Sequence, residues 1–181
     1  MIETDRLILR AYRKEDREAF AALNGDPLVG AWLGGVIDRA ASDAMLDRIN
    51  AHIASHGFGV WGVTRKADDR IIGFCGLSTV KAGALPVGPA VEMGWRLVPQ
   101  AWGSGLASEG AAAVLAWGWA NLDVAEIIAF TATTNLASQG VMRKIGMVAD
   151  PTRDFDHPRL AADHPLRRHV VFAARHRAEP I

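Results

Sequence analysis

One cysteine and one tyrosine stand among 181 residues, and acidic and basic side chains balance at 20 each. The lone Cys75 excludes an internal disulfide framework and fits a reducing compartment. It lies in the apolar run from Ile71 to Leu77, where a thiol packs as a small hydrophobe rather than serving as a nucleophile. A formal net charge of zero gives no electrostatic basis for binding nucleic acid or an anionic membrane surface. The basic clusters Arg167-Arg168-His169 and Arg175-His176-Arg177 are local and read as solvated strand ends. No apolar stretch approaches the ~20 residues needed to span a bilayer. The opening Met1-Ile2-Glu3-Thr4-Asp5-Arg6 lacks the apolar core of a leader peptide, so the expectation is a soluble, cytoplasmic chain. What the chain does have is apolar mass. Half its residues are hydrophobic, enough for one domain, 1–181, with a sizeable core.

The pattern along the chain is mixed. Arg6 to Arg10 suits a first strand, and Lys14 to Asn24 a helix with Ala19, Phe20 and Leu23 on one face, stopped by Gly25 and Pro27. Ser42 is placed to cap a second helix in which Met45, Ile49 and Ile53 recur every four residues. His52 and His56 share that spacing, but no third ligand lies nearby, and a solvated helix face is the better reading. Phe58 to Arg65 and Arg70 to Ser78 form a hairpin around Ala67-Asp68-Asp69. A glycine- and proline-rich loop from Lys81 to Pro89 precedes a strand from Ala90 to Val98. Helix 103–121, strand 124–133 and helix 136–144, the last ended by Gly146, follow. His169 to Ala174 makes a final strand. The strand–helix–strand unit from Ala90 onward requires one parallel pair.

Within that unit, Gln100, Gly103, Gly105 and Ala107 fall at a strand-to-helix turn. Free amides and the partial positive charge of a helix N-terminus bind anions there, and glycines let a phosphate approach the backbone. Gly103-Ser104-Gly105 alone is a weak signal. A P-loop needs Gly-Lys-Ser/Thr at the helix start, which is absent. A dinucleotide fingerprint needs a third glycine where Ser108 stands and an acid ending the next strand, which instead ends Thr131-Ala132-Thr133.

The wider constellation is more specific. It comprises Glu92 to Pro99, then Gln100-x-x-Gly103-x-Gly105-x-Ala107, then Asn135-Leu136-Ala137-Ser138 running on to Met147. Together these resemble the GNAT superfamily of acetyl-CoA-dependent N-acetyltransferases, and within it the RimJ/RimL-like branch. The segments Glu3 to Arg10 and Ile72 to Gly76 are also similar to that branch, so the likeness spans roughly residues 2–174. It implies an α/β fold with a central, mostly antiparallel sheet, splayed at one parallel strand pair and flanked by helices.

The resemblance also implies roles. Main-chain groups of Trp95 and Leu97 would bond the pantetheine arm of acetyl-CoA. Amides of Trp102, Gly103, Ser104, Gly105, Leu106 and Ala107, beside Gln100, would hold its pyrophosphate. Asn135 would reach the pantetheine amides, though it also suits an N-cap, and Ser138 would lie near the thioester sulfur. The implied reaction is direct attack of a primary amine on the thioester, with no metal. Glu92 is the candidate base: on an alternating strand it shares a face with Gly94 and Arg96, opposite Met93, Trp95 and Leu97. A strand glutamate paired with an arginine is the simpler alternative for it. The tyrosine that many relatives use as an acid, seven residues after the asparagine, is Met142 here, leaving Ser138 or water. A glutamate used by some relatives is replaced by Phe130. Trp32, in the glycine-rich loop from Gly30 to Gly35, is the expected acceptor-side contact. Trp117 and Trp119 cannot share a helix face, which makes a second copy of the chain a candidate partner. The acceptor, a protein N-terminus or a small amine, is not encoded in any motif. A catalytically silent acyl-CoA sensor is the alternative from another class.

Overall fold

The computed structural model describes residues 1–176, so Arg177 of the second basic cluster lies outside the described residues. In chain order the elements are β1 (Ile2–Glu3), β2 (Leu7–Arg10), α1 (Arg17–Gly25), α2 (Pro27–Gly30), α3 (Arg39–His56), β3 (Val60–Arg65) and β4 (Arg70–Val80). Then come β5 (Ala90–Leu97), α4 (Leu106–Asn121), β6 (Glu126–Ala132), α5 (Leu136–Lys144), β7 (Val148–Ala149), β8 (Phe155–Asp156) and β9 (Arg168–Arg175). The sheet runs β1-β2-β3-β4-β5-β6-β9-β7, with β8 beside β9. Every pairing is antiparallel except β5 with β6, which α4 connects. This is the expected mixed fold, one open sheet with one parallel pair.

Ladder partners point to the same side of a sheet, so the register assigns faces. Cys75, Leu77, Met93, Ile127 and Ala129 lie beneath α4 and form the main core with Ala111, Val114 and Met142. Leu97 joins them at 5 % exposure. Phe74 on the opposite face packs with Tyr12, Phe20, Leu23 and Leu46 under α1 and α3. Burial holds the Cys75 thiol up at about 12, which fits a packing role.

Two glycines set how closely β4 approaches its neighbours. An extra residue, Ile72, bulges β4 between its pairings to Val63 and Thr64. Gly73 follows at φ +148°, where a Cβ would stand 2.1 Å from the carbonyl oxygen of Arg96. At Gly76 a Cβ would meet the Gly59 carbonyl oxygen at 2.2 Å.

Several boundaries differ from the sequence expectation. Ser42 does not cap α3: it is fully buried and accepts a hydrogen bond from Asn24 Nδ2 at 2.9 Å. The cap is Asp38, whose carboxylate accepts the Ala41 N–H at 2.8 Å. Helix α4 begins at Leu106 rather than residue 103, because Gly105 is left-handed at φ +81°. The first helix opens with a 3-10 turn at Lys14–Asp16. The very short β1, α2, β7 and β8 were not anticipated. His52 and His56 stack at 4.1 Å against Phe58, and among the described residues no His, Cys, Asp and Glu side chains cluster to hold a metal. The first basic cluster is only partly a solvated strand end: Arg167 and Arg168 pair with Asp156, but His169 is half-buried on Phe155.

Candidate active site

The site is built where the sheet stops being continuous. β5 and β6 pair only at Val91 with Ile127 and Glu92 with Ile128. Beyond that point β5 runs on to Leu97, held by β4, while β6 runs on to Ala132, held by β9. Among the described residues the facing edges of 93–97 and 129–132 therefore have no strand partner between them, which leaves main-chain donors and acceptors for a ligand.

Glu92 sits at the apex of this gap, on the face opposite Met93 and Leu97, as alternation requires. Ser78, its register partner on β4, points its hydroxyl at Glu92 Oε2 from 3.5 Å, too long for a strong bond. Burial raises the carboxyl from 4.5 to about 7, which the weak Ser78 bond and the charge of Arg159 only partly oppose. A carboxylate that titrates near neutrality is suited to take a proton and give it up again.

At the far end of β5 lies the glycine turn. Gly103 and Gly105 have φ of +70° and +81°, and a Cβ on Gly103 would touch nothing within 4 Å. The glycines are thus required by backbone conformation and leave the outer side of the turn bare. Among the described residues no side chain caps α4, which leaves its first amides free. Ser104 Oγ donates to the Ala101 carbonyl at 2.7 Å, tightening the turn. Trp102 is exposed, and its indole Nε1 donates to the Leu97 carbonyl oxygen at 2.8 Å, so one acceptor position of Leu97 is already engaged. Gln100 is exposed in the 3-10 turn at Pro99–Ala101, and the Leu106 side chain is buried, so Leu106 offers the turn only its amide.

Arg6 also belongs to this turn, and sequence reasoning missed it. Its Nη1 donates to the Ser104 carbonyl at 3.0 Å, and its Nε pairs with Glu109 at 2.6 Å. Nη2 would lie 3.6 Å from a Cβ on Gly105. A guanidinium therefore flanks the helix N-terminus from 98 residues upstream of Ser104.

On the other edge of the gap, Asn135 caps α5: its Oδ1 accepts the Ser138 N–H at 3.1 Å. Its Nδ2 donor makes no bond among the described residues. Ser138 is half-buried in the first turn of α5, and Trp95 is half-buried against the α4 core.

The face that carries Glu92 is covered by loops. Val87, from the loop before β5, packs with Ile128, Phe155 and Val171. The Gly30–Gly35 loop meets His164, Pro165 and Leu166 around a pocket of about 370 Å³. Trp32 is exposed and does not line that pocket. His169, paired with Ala132, stacks on Phe155 with ring centres 5.4 Å apart. Its Nδ1 lies 3.1 Å from the Arg167 carbonyl, and burial lowers its pKa below the usual histidine value.

The chain matches the family model described as "Acetyltransferase (GNAT) domain" over residues 6–148. The chain belongs to the GNAT family. It is an N-acetyltransferase by that membership. The Bacillus subtilis protein "Uncharacterized N-acetyltransferase YoaA" is 29 % identical over 150 residues, 81 % of each chain. The fold is shared with a GNAT-family acetyltransferase from Bacillus anthracis, at a TM-score of 0.77, 23 % identity and coverage of 96 % and 97 % of the two chains. It is also shared with RimL, a ribosomal L7/L12 alpha-N-protein acetyltransferase solved with coenzyme A, at a TM-score of 0.74, 14 % identity and 95 % coverage of each. The position seven residues past Asn135 is Met142, 1 % exposed in the core, so no proton donor stands there in this GNAT chain. The only tyrosine, Tyr12, is buried edge-on to Phe20 and packs with Phe74, away from the α4 core that holds Met142.

Proposed function

We propose that this chain transfers the acetyl group of acetyl-CoA to a primary amine by direct attack, in the manner of the RimJ/RimL-like branch. The observation that carries the reading is the apex position of Glu92, with a gap in the sheet leading from it to the bare glycine turn. In this reading the pantetheine arm fills the gap as an added strand along Trp95 and Leu97. The pyrophosphate rests on the amides of residues 103–107 at the α4 N-terminus, with Arg6 alongside, whereas the Trp102 N–H donates to the Pro99 carbonyl at 3.0 Å and is not free for it. Asn135 Nδ2 meets a pantetheine carbonyl, and the Ser138 hydroxyl lies toward the sulfur.

The amine nitrogen attacks the acetyl carbon, the C–N bond forms, and the C–S bond breaks. The amine proton passes to the Glu92 carboxylate, directly or through water, and the departing thiolate takes a proton from water or from Ser138. A neutral amine is required, which an α-amino group of pKa about 8 supplies more readily near pH 7 than a lysine at about 10.4.

A thiol-release screen over primary amines with acetyl-CoA tests the reading, beside calorimetry of coenzyme A with the wild type and Gly105→Val. Release of thiol with at least one amine is expected. Gly105→Val should weaken coenzyme A by 10-fold or more, while the left-handed backbone costs the fold only about 1–2 kcal/mol. Coenzyme A binding without turnover of any amine would instead identify a silent acyl-CoA sensor. Unchanged affinity in Gly105→Val would remove the turn from the donor site.

A further inference from the structure

Arg96 stands apart from the other arginines. Arg10, Arg17, Arg65, Arg153 and Arg167 are also half-buried, and each has a carboxylate oxygen within 3.4 Å. Among the described residues Arg96 is the half-buried arginine with none. Its Nη1 donates to the neutral Asn24 Oδ1, and its guanidinium lies 5.0 Å over the Phe74 ring. The remaining guanidinium donors bond nothing among the described residues. Tyr12, beside it, cannot serve as a counter-ion, because burial pushes its phenol well above the usual value and keeps it neutral. Asp16, the acid whose charge reaches Tyr12, is held by Arg10 at 2.6 Å. A charge taken partly out of water without an opposite charge is costly, and burial lowers the Arg96 pKa to about 10.

The position of this cation is informative. Arg96 shares the Glu92 face of β5, four residues further along, or about 13 Å at strand spacing. It therefore stands on the β5 lip of the gap, with its guanidinium over Phe74 of β4 and against Asn24 of α1, and α4 with its anion-binding turn packs on the other face. The donor's phosphates are placed away from it. What remains for Arg96 is the molecule that brings the amine.

We propose that the acceptor carries a carboxylate several bonds from its amine, and that Arg96 binds that carboxylate. The fork of a guanidinium matches a carboxylate in two parallel hydrogen bonds, and the Phe74 ring and Asn24 hold the fork in place. An acceptor of this class neutralises the cleft, whereas a polyamine would add positive charge beside an unpaired cation. The inference rests on the acetyl-transfer reading above, and the test separates the two.

The probes are ω-amino acids from glycine to 6-aminohexanoate, each compared with its primary amide, using thiol release by the wild type, Arg96→Gln and Arg96→Lys. The wild type should favour the acid over its amide by roughly 10-fold or more in kcat/KM at the best chain length, the size of one charge-assisted contact. Arg96→Gln should erase that preference while changing amide turnover by less than about 3-fold, and Arg96→Lys should fall between. Equal use of acid and amide by the wild type, or equal losses on both in Arg96→Gln, would overturn the assignment. If no amine releases thiol, the transfer reading fails and binding still decides this one. Calorimetry of 6-acetamidohexanoate and its amide, with coenzyme A present, should show about 10-fold tighter binding of the acid by the wild type. Equal or undetectable affinities would count against Arg96, and this arm needs no variant to fold.

Discussion

The two faces of β5 divide the work of the molecule. Met93 and Leu97, at 2 % and 5 % exposure, fill the core beneath α4 with Leu77, Ile127 and Ala129. Glu92 and Arg96, their neighbours in sequence, stand half-buried on the other face above Ser78 and Phe74. A strand's period of two lets one eight-residue segment anchor the fold and present the proposed base at once. The same period makes the arrangement intolerant of error, because a slip of one residue would bury Glu92 under α4 and expose Met93. The face beneath α4 is governed by packing, and the opposite face by unbalanced charge. Substitutions on the two faces should therefore fail in different ways.

The largest effect belongs to the packed face. Met93→Ala removes a fully buried side chain from the middle of the main core and should cost about 3 kcal/mol, within the usual range for such truncations. Urea unfolding measures the loss. The folded fraction should keep its coenzyme A affinity within a few fold, because the Met93 side chain lies in the core and the substitution keeps its main-chain groups at the gap edge. A large affinity change without loss of stability would show that the two faces are not separable.

One residue earlier, Glu92→Gln should do the reverse. At pH 7.5 turnover should fall about 100-fold, a typical loss for a removed general base. The wild-type rate should also drop below pH 7 as the carboxyl protonates, and the variant should lack that limb. Stability moves with the opposite sign. The folded carboxyl titrates near 7 against 4.5 in the unfolded chain, so its contribution is full below 4.5 and lost as pH rises through 7. The variant should therefore gain on the wild type between pH 5 and 8, by up to about 3 kcal/mol at one pKa unit per 1.4 kcal/mol. Parallel pH-stability curves would show that Glu92 is not desolvated, and an unchanged pH–rate profile would remove it from the reaction.

How much of this was legible in the sequence depended on whether the cause was local. The alternation of β5, the glycine turn and the cap at Asn135 each arise from residues within a few positions of one another, and all were read. The cap of α3 was misplaced because Ser42 and Asp38 both suit the role, and only the partner Asn24, 18 residues away, draws Ser42 inward. Two-residue strands such as β7 and β8 are too short to show any period. Arg6 at the glycine turn was invisible because the contact joins residues 98 apart. Arg96 was placed on the correct face, but what marks it is the absence of a carboxylate, which only the assembled structure reveals. His169 sat in a run of basic residues and was assigned to solvent, whereas stacking on Phe155 turns it inward.

The other edge of the gap offers a finer separation, at Asn135. Its Oδ1 caps α5, and its Nδ2, with no partner among the described residues, is the donor that the proposed function sets against the pantetheine. Asn135→Asp keeps the accepting oxygen, and a negative charge suits a helix N-terminus, so stability should change by only a few tenths of a kcal/mol. The variant has no donor to offer, so coenzyme A should bind about 5- to 10-fold more weakly, the value of one hydrogen bond. Asn135→Ala loses both functions and should add about 1 kcal/mol of destabilisation from the lost cap. Thermal unfolding and coenzyme A calorimetry on the pair of variants distinguish the roles. If Asn135→Asp binds as the wild type does while Asn135→Ala binds weakly, the residue serves the donor site only by shaping α5. In that event the β6 edge would contribute backbone rather than side chains, and the chemistry of the cleft would rest on β5 alone.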